Sequence, residues 1–454
     1  MTAGDNPAAA LVPRPQSFQI TGRPLPPEGY RLRVDAEGRA EITAADAAGH
    51  FYAEQTLRQL GDVKGPIAIE DWPQYRWRGV MLDEGRHFFG KAAVKDILDR
   101  MARYKLNVFH WHLTEDQGWR LDIPGCPEIA RWGAARPSSW LPETEDRPDG
   151  KPYGPFFYTA ADVREILDHA RARHIRVVPE IELPGHFRAM LAAHPEFACA
   201  GAEPGPRAPW TETGITPLVM CPGNDAAIAF MERVFDAVTA MFPGEVIHLG
   251  GDECPWDNWK RCPRCQARIR ALGLRDEAAL QAWLVRHFVN YLQTKGRRAM
   301  GWDEIILGGG LDRGAIVQSW RPVGWFGAGE VKVPPALLAA QAGNDVVASP
   351  CDRVYFSLPP TRAEPVVYRK PLAEYRDGEL LDLRKVYAFD PRQDVPEGLK
   401  ARIIGSESCN WTEGTRDYAN LTAKMWPRTA ALAEVLWTGD SRGPYADFAR
   451  RMGL

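Results

Sequence analysis

Short apolar runs without polar interruption alternate, along most of this chain, with longer stretches whose apolar residues recur at helical spacing. From residue 78 onward eight such runs read as buried parallel strands: 79–83, 108–113, 176–181, 246–250, 299–302, 315–320, 345–349 and 402–406. Between them, 91–104, 160–173, 224–241, 277–294, 334–342 and 422–437 carry the apolar period of amphipathic helices. Eight strands with crossover helices predict an α/β fold, a (β/α)8 TIM barrel. Two excursions, 124–157 and 354–400, interrupt the alternation. Both are rich in Pro, Gly and aromatics, which suits ordered loops that shape a pocket.

Residues 1–72 read as a separate small N-terminal α/β unit, and 73–454 as the barrel. Tyr30-Arg-Leu-Arg-Val34, Asp35-Ala-Glu-Gly38 and Arg39-Ala-Glu-Ile-Thr43 predict strand, turn and strand, and Phe51 to Leu60 is helical in period. Asp71-Trp-Pro73 marks the boundary, because proline ends elements and restricts the residue before it.

Composition refines this picture by exclusion. Apolar residues make up 45% of the chain and charged residues 25%, with a formal net charge of −3, as expected of a soluble globular protein. No basic stripe points to nucleic acid, and no apolar stretch reaches the length of a membrane span. Met1-Thr-Ala-Gly-Asp-Asn-Pro7 lacks a basic region followed by an apolar core, so the chain as it stands is expected in the cytoplasm. Eight cysteines in 454 residues do not make a disulfide scaffold. Cys262-Pro-Arg-Cys265, with Cys254 upstream, has half the spacing of a zinc site, but no second Cys/His pair follows at the needed interval. Reduced, partly buried thiols are therefore expected, with no metal and no cofactor.

A barrel carries its chemistry at the C-terminal ends of its strands. The first strand here ends in Leu82-Asp83, followed by Arg86-His87, and the second in His110-Trp-His112 and then Thr114-Glu-Asp-Gln-Gly-Trp119. The third ends in Pro179-Glu-Ile-Glu-Leu-Pro-Gly-His186, and the fourth supplies His248 and the pair Asp252-Glu253. Gly301-Trp-Asp-Glu304, Gln318-Ser-Trp320, Arg353-Val-Tyr355 and Asn410-Trp-Thr-Glu413 complete the rim. Adjacent carboxylates such as Asp252 and Glu253 repel, so one is readily protonated while its neighbour stays ionised, which equips a site for acid/base work. The plainer reading is an acidic helix start after a strand. Tryptophan is abundant, with 16 residues; Trp302, Trp320 and Trp411 offer flat walls for a pyranose, core packing being the alternative for each. Asp83, Glu413 and Arg78 are candidates to fix hydroxyls.

Two other functions fit parts of this rim. His110 and His112 share one strand face, a metal-ligand geometry that His186 and His248 would complete in a metal-dependent hydrolase. The histidine-poor composition and the lack of further ligands at later strands argue against it. A non-catalytic sugar-binding protein would need the aromatics but no protonatable pair.

The stretch His248-Leu-Gly-Gly-Asp-Glu253 resembles the signature of the family 20 glycoside hydrolases, the β-N-acetylhexosaminidases. Similarity continues over Arg78-Gly-Val-Met-Leu-Asp83, His110-Trp-His-Leu-Thr-Glu-Asp-Gln-Gly-Trp-Arg120, Pro184-Gly-His186, Gly301-Trp-Asp-Glu304, Gln318-Ser-Trp320 and Trp411-Thr-Glu413. It ends at Arg428-Thr-Ala-Ala-Leu-Ala-Glu-Val-Leu-Trp437, and the motifs keep their order over 75–440. The N-terminal unit is similar, in shortened form, to the small domain that precedes this family's barrel.

The resemblance implies exo-acting removal of a terminal β-linked N-acetylglucosamine or N-acetylgalactosamine with retention of configuration. The family is a recognised exception to the two-carboxylate scheme and works by substrate assistance, the substrate's own 2-acetamido oxygen attacking C1. Glu253 would then be the general acid and base, and Asp252 would accept the acetamido N–H. Tyr355 would donate to the acetamido oxygen, the three tryptophans would enclose the sugar, and Arg78 and Glu413 would read outer hydroxyls. Asp116 and His186 would tune Glu253 or hold the loops, and His110, His112 and His248 would support the pocket from beneath. The chain departs from the family pattern at Glu182, where Asp usually precedes Pro-Gly-His, an added methylene placed to shift His186. It departs again at Ser357, where Asp commonly stands two residues after the tyrosine.

Overall fold

Alternating apolar residues at Tyr30, Leu32 and Val34 fix β1 (Tyr30–Val34) as the centre of a small antiparallel sheet, with β2 (Ala40–Ala44) on one side and β3 (Ile67–Asp71) on the other. Leu32 pairs with Ile42 on one neighbour and Ile69 on the other. The helix α1 (Ala47–Leu60) covers this sheet, its start fixed by Asp46, whose side chain accepts from Gly49 N–H. Sequence reasoning missed β3 and the first turn of α1. Ile67-Ala-Ile-Glu-Asp71 offers only two strand-forming apolar positions, and Ala47-Ala-Gly-His50 carries no apolar period.

The computed structural model describes residues 10–62, 65–141, 147–202, 207–309, 311, 313–327, 329–363 and 372–454. Met1 to Pro7, on which the expectation about a leader rests, fall outside these residues, as do parts of both long excursions. Among the described residues no helix is long and apolar enough to cross a membrane.

All eight expected barrel strands are present: β4 (Trp77–Asp83), β5 (Val108–His112), β6 (Arg176–Glu180), β7 (Val246–His248), β8 (Arg298–Trp302), β9 (Ile316–Ser319), β10 (Asp345–Ala348) and β11 (Ile403–Asn410). They pair in parallel and in chain order, β11 closing on β4. The crossover helices α2 (Gly90–Arg103), α3 (Ala160–Arg171), α4 (Asp225–Met241), α5 (Glu277–Thr294) and α6 (Pro335–Ala342) lie close to their sequence-based bounds. The expected helix 422–437 is instead two, α7 (Tyr418–Met425) and α8 (Arg428–Thr438). Pro427 between them has no N–H to donate, so the backbone breaks although the apolar period runs on.

Each strand contributes one side chain to a sealed apolar layer near the barrel's lower end: Trp77, Val108, Val178, Val246, Met300, Ile316, Val347 and Ile404. Burying each is worth about 1.5–3 kcal/mol, so this layer is a firm floor. Above it the inward side chains turn polar, with His110, Glu180, His248, Gln318 and Glu407 all buried. That polarity explains why β11 runs on to Asn410, past its expected end at 406: Glu407 and Ser408 look polar in sequence yet face the barrel interior network or its neighbours.

The N-terminal sheet docks at the lower end of the barrel. Trp437 of α8 sits in the core of that sheet's apolar cluster and donates through Nε1 to Asp71 Oδ1 at 2.8 Å. Lys105 Nζ, from the turn before β5, lies 2.9 Å from Asp71 Oδ2 and 2.8 Å from the Tyr30 hydroxyl.

Candidate active site

Beyond His248 the chain turns through Gly250 and Gly251 at φ 67° and 97°, left-handed conformations that glycine adopts without steric cost. Space also demands glycine, since a Cβ on Gly250 would lie 1.7 Å from Glu182 Oε2. This turn delivers Asp252, almost wholly buried, and Glu253, whose side chain keeps 33% exposure. Glu253 (φ 44°) and His186 (φ 47°) are both non-glycine residues held in the left-handed region, a cost that folds tolerate chiefly at functional positions.

His186 links the two carboxylates. Its Nε2 lies 3.5 Å from Asp252 Oδ2 and 3.6 Å from Glu253 Oε2. Its Nδ1 faces Glu115 at 3.0 Å and Asp116 at 3.2 Å. Burial opposes a charged imidazole, but Glu115, Asp252 and Asp116 together raise its pKa well above the ordinary value. His186 is therefore a cation at neutral pH. Asp116 is fixed in turn by the Arg188 backbone N–H at 3.0 Å.

Glu182, the first departure from the family pattern, is buried. The longer side chain folds against Gly250, and burial, reinforced by the charges of Asp252 and Glu180, pushes its carboxyl well above the usual range. Both effects favour its protonated form. Ser357, the second departure, is half-buried in the turn closed by Leu358 N–H to Tyr355 O at 3.0 Å.

Beneath the pair, three imidazoles converge on one carboxylate. His248 Nδ1 is 2.7 Å from Glu180 Oε1, His110 Nε2 is 3.0 Å from Glu180 Oε2, and His112 Nδ1 contacts the same oxygen. His110 Nδ1 is also 2.6 Å from Glu407, which accepts from Gln318 Nε2 at 2.8 Å. Burial would lower the pKa of His110, yet Glu407 and Glu180 raise it to about 10. All three rings surround the buried Glu180 carboxylate, and burial lowers the pKa of His248. His110, His112 and His248 thus form a layer around Glu180, and within it His110, Glu180 and His248 also lie close enough together to hold a metal ion.

Aromatic side chains line the other wall. Trp302 and Trp411 have ring centroids 5.6 Å apart, Tyr355 and Trp411 6.0 Å, and Trp320 and Tyr355 6.2 Å at a near-parallel 13°. Trp302 and Trp320 are buried and held through Nε1, by Glu180 at 2.8 Å and by Glu304 at 2.9 Å, whereas Trp411 and Tyr355 are partly open. Burial, then the charges of Cys409, Cys351 and Asp252, keep the Tyr355 phenol well above its ordinary pKa, so it remains a hydroxyl donor. Trp325, absent from the sequence-based set, meets Trp320 edge-on at 5.2 Å. Its only signal was its place in the Pro322-Val-Gly-Trp325 turn just past the sixth strand.

Two expected substrate residues are engaged by the protein itself. Arg78 is the second residue of β4, so it lies at the lower end of the barrel, fully buried, 2.7 Å from Glu28 and bonded to Tyr75 O and Lys105 O. It joins the barrel to the N-terminal sheet and reads no ligand. Asp83 does end the strand, but both its oxygens are taken: Arg86 N and Nη1 at 3.2 Å, and Thr412 N and Oγ1 at 3.0 Å. Arg86 occupies the place expected of Arg78. It is held by Asp83, by Glu115 at 2.5 Å and by Gln117 at 3.0 Å, lies over the Trp411 ring at 5.1 Å, and lines one cleft with Glu413. Both residues flank Asp83 in sequence, and only the strand's direction, Arg78 at its start and Arg86 past its end, separates them.

Comparison with known proteins agrees with this geometry. Residues 75–440 match the glycosyl hydrolase family 20 catalytic domain, and residues 3–72 match domain 2 of the same family. The chain is 39% identical to a beta-hexosaminidase of Porphyromonas gingivalis over 95% of its own length, and it spans about half (53%) of that relative. A crystal structure of a beta-N-acetylhexosaminidase superposes with a TM-score of 0.85 at 28% identity, covering 98% of this chain and 93% of the other. The exo beta-N-acetylglucosaminidase of Vibrio harveyi, solved in complex with N-acetylglucosamine, gives 0.79 at 29% identity over 94% of this chain and 66% of that one. On its motifs, its barrel and these matches, the chain belongs to glycosyl hydrolase family 20.

Proposed function

We propose that this protein removes terminal β-linked N-acetylglucosamine or N-acetylgalactosamine from glycans, with retention and without an enzyme nucleophile. The observation that carries this reading is the adjacent pair Asp252 and Glu253, both within reach of one cationic histidine, beside a partly open aromatic wall. A retaining pair of carboxylates must flank the scissile bond from opposite faces at about 5 Å. Two neighbouring residues served by the same imidazole are poorly placed for that. They suit a mechanism in which the 2-acetamido oxygen attacks C1.

Glu253, the more exposed of the two, protonates the leaving oxygen and then takes a proton from the incoming water. Asp252, buried against the His186 cation, accepts the acetamido N–H and stabilises the positive charge that develops on the cyclised amide. Tyr355 donates its hydroxyl to the acetamido group. Trp302, Trp320 and Trp411 pack on the apolar faces of the sugar and acetamido methyl. Arg86 and Glu413, sharing one cleft, read the outer hydroxyls; each terminal nitrogen of Arg86 retains a second N–H beyond its protein contacts.

The test is release of nitrophenol from the aryl β-N-acetylglucosaminide beside the plain aryl β-glucoside. Hydrolysis of the first alone is expected. Comparable hydrolysis of both would make a carboxylate the nucleophile and remove the assigned role of Asp252.

A further inference from the structure

Four cysteine sulfurs, brought from three separate stretches of chain, meet behind the loop that carries Glu253. Cys221 Sγ lies 3.5 Å from Cys265 Sγ and 3.8 Å from Cys262 Sγ, and Cys199 Sγ lies 3.7 Å from Cys265 Sγ. All four sulfurs fall within 4.8 Å of one another, and all four residues are buried. Sulfurs at the corners of a tetrahedron with metal–sulfur bonds of about 2.3 Å are about 3.8 Å apart. A disulfide needs about 2.05 Å. The spacing matches the first arrangement and not the second.

The backbone around the sulfurs is built to hold them together. Cys262 caps the short helix Pro263–Ala271 and Cys265 lies in its first turn, with Pro263 at the first helical position, where a missing N–H costs nothing. The opposing turn, Cys221-Pro-Gly223, touches this pair backbone to backbone. A Cβ on Gly223 would lie 2.4 Å from Arg264 C and 2.5 Å from Cys265 N, so only glycine lets the two knuckles meet. Cys199 is drawn in by Arg264 Nη2, which donates to Ala198 O at 2.7 Å, and by Cys221 N–H, which donates to Phe197 O at 2.9 Å. Val219, Trp259, Ile269 and Leu280 close an apolar shell around the four. Cys254, the third thiol that sequence spacing associated with Cys262 and Cys265, lies outside the group; the missing pair is Cys199 and Cys221, upstream and too far apart to register as a motif.

We propose that Cys199, Cys221, Cys262 and Cys265 bind one structural zinc ion as a tetrathiolate. Four sulfurs in tetrahedral array suit zinc, and a site with no remaining open position is structural in kind. Binding displaces the four thiol protons, and the net negative charge of the filled site is offset by the Arg264 guanidinium beside it. The ion's work is to tie down two loops of the active site. Met220, next to Cys221, donates its N–H to Pro184 O at 2.9 Å, just before His186. The stretch Cys254 to Trp259 leads from Glu253 straight to Cys262, and Trp259 Nε1 donates to Met220 O at 3.0 Å.

The experiment is metal analysis of the full chain purified under reducing conditions, with zinc exchanged for cobalt(II) as a spectroscopic probe. About one zinc per chain is expected, with the intense visible absorption of tetrahedral thiolate-bound cobalt after exchange. Cys265→Ser should lower the zinc content at least tenfold, while Cys126→Ser, remote from the cluster, should leave it unchanged. Should Cys265→Ser fail to fold, the cobalt spectrum of the unaltered chain decides. Zinc-free protein whose four thiols titrate freely, or pair as disulfides by mass, would overturn the proposal, as would one iron per chain in place of zinc.

Discussion

His186 Nε2 stands 3.5 Å from Asp252 Oδ2, and the imidazole at that distance is a buried cation. The carboxylate is thereby aimed before any substrate arrives. Asp252→Asn keeps the shape and loses the charge, so kcat should fall about 10²–10³-fold, the usual cost of one preorganised electrostatic contact. Steady-state kinetics on an aryl N-acetylglucosaminide measure it; full activity in this variant would rule out the acetamido-orienting role.

Glu253→Gln should separate substrates by leaving group. A poor leaving group needs the proton, and losing general acid catalysis costs about 10²–10⁴-fold. An activated aryl substrate needs little help at the first step and should suffer less. The ratio of kcat/KM for a chitobiose-type substrate to that for a dinitrophenyl glycoside is the measurement, and an unchanged ratio contradicts the assignment.

Arg86 and Arg78, at opposite ends of β4, give a matched pair of variants. Arg86→Met removes charge-assisted hydrogen bonds worth about 1.5–3 kcal/mol each, so kcat/KM should drop at least tenfold. Arg78→Met should leave kcat/KM of the folded enzyme unchanged and lower Tm, since breaking a buried ion pair costs about 3 kcal/mol. The reverse pattern would restore Arg78 as the ligand contact.

Glu182 predicts a pH dependence of stability. Its folded carboxyl holds its proton above the ordinary value of 4.5. That contribution is fully present below 4.5 and is lost as pH rises through the raised value. Glu182→Gln cannot ionise, so its Tm relative to the unaltered chain should improve from pH 5 to pH 8. Parallel Tm curves for the two proteins would show that Glu182 is already ionised in the folded state.

The barrel was legible because a fully buried parallel strand leaves an uninterrupted apolar run, and the rim because its carboxylates and tryptophans follow those runs at once. What sequence hid was direction and distance. Arg78 stands before Asp83 and Arg86 after it, yet one faces the N-terminal unit and the other the cleft. Pro427 splits a helix whose apolar period gives no sign of it. Cys199 and Cys221 join Cys262 and Cys265 only because α4 and β7 lie between and fold the chain back on itself.

Trp437 belongs to the last long helix of the chain, but its indole is enclosed by residues from the first seventy. Lys105 reaches Tyr30 and Asp71 of the N-terminal sheet, and Arg78 reaches Glu28 just before it and Tyr52 of α1. The first and last thirds of the polypeptide are thus stitched together at the end opposite the catalytic mouth. A barrel cut free at the linker would leave Lys105 and Arg78 without their carboxylate partners and present a bare indole to water. The small sheet acts as the barrel's keel, and trimming it away would strip the barrel's lower end of its counter-charges.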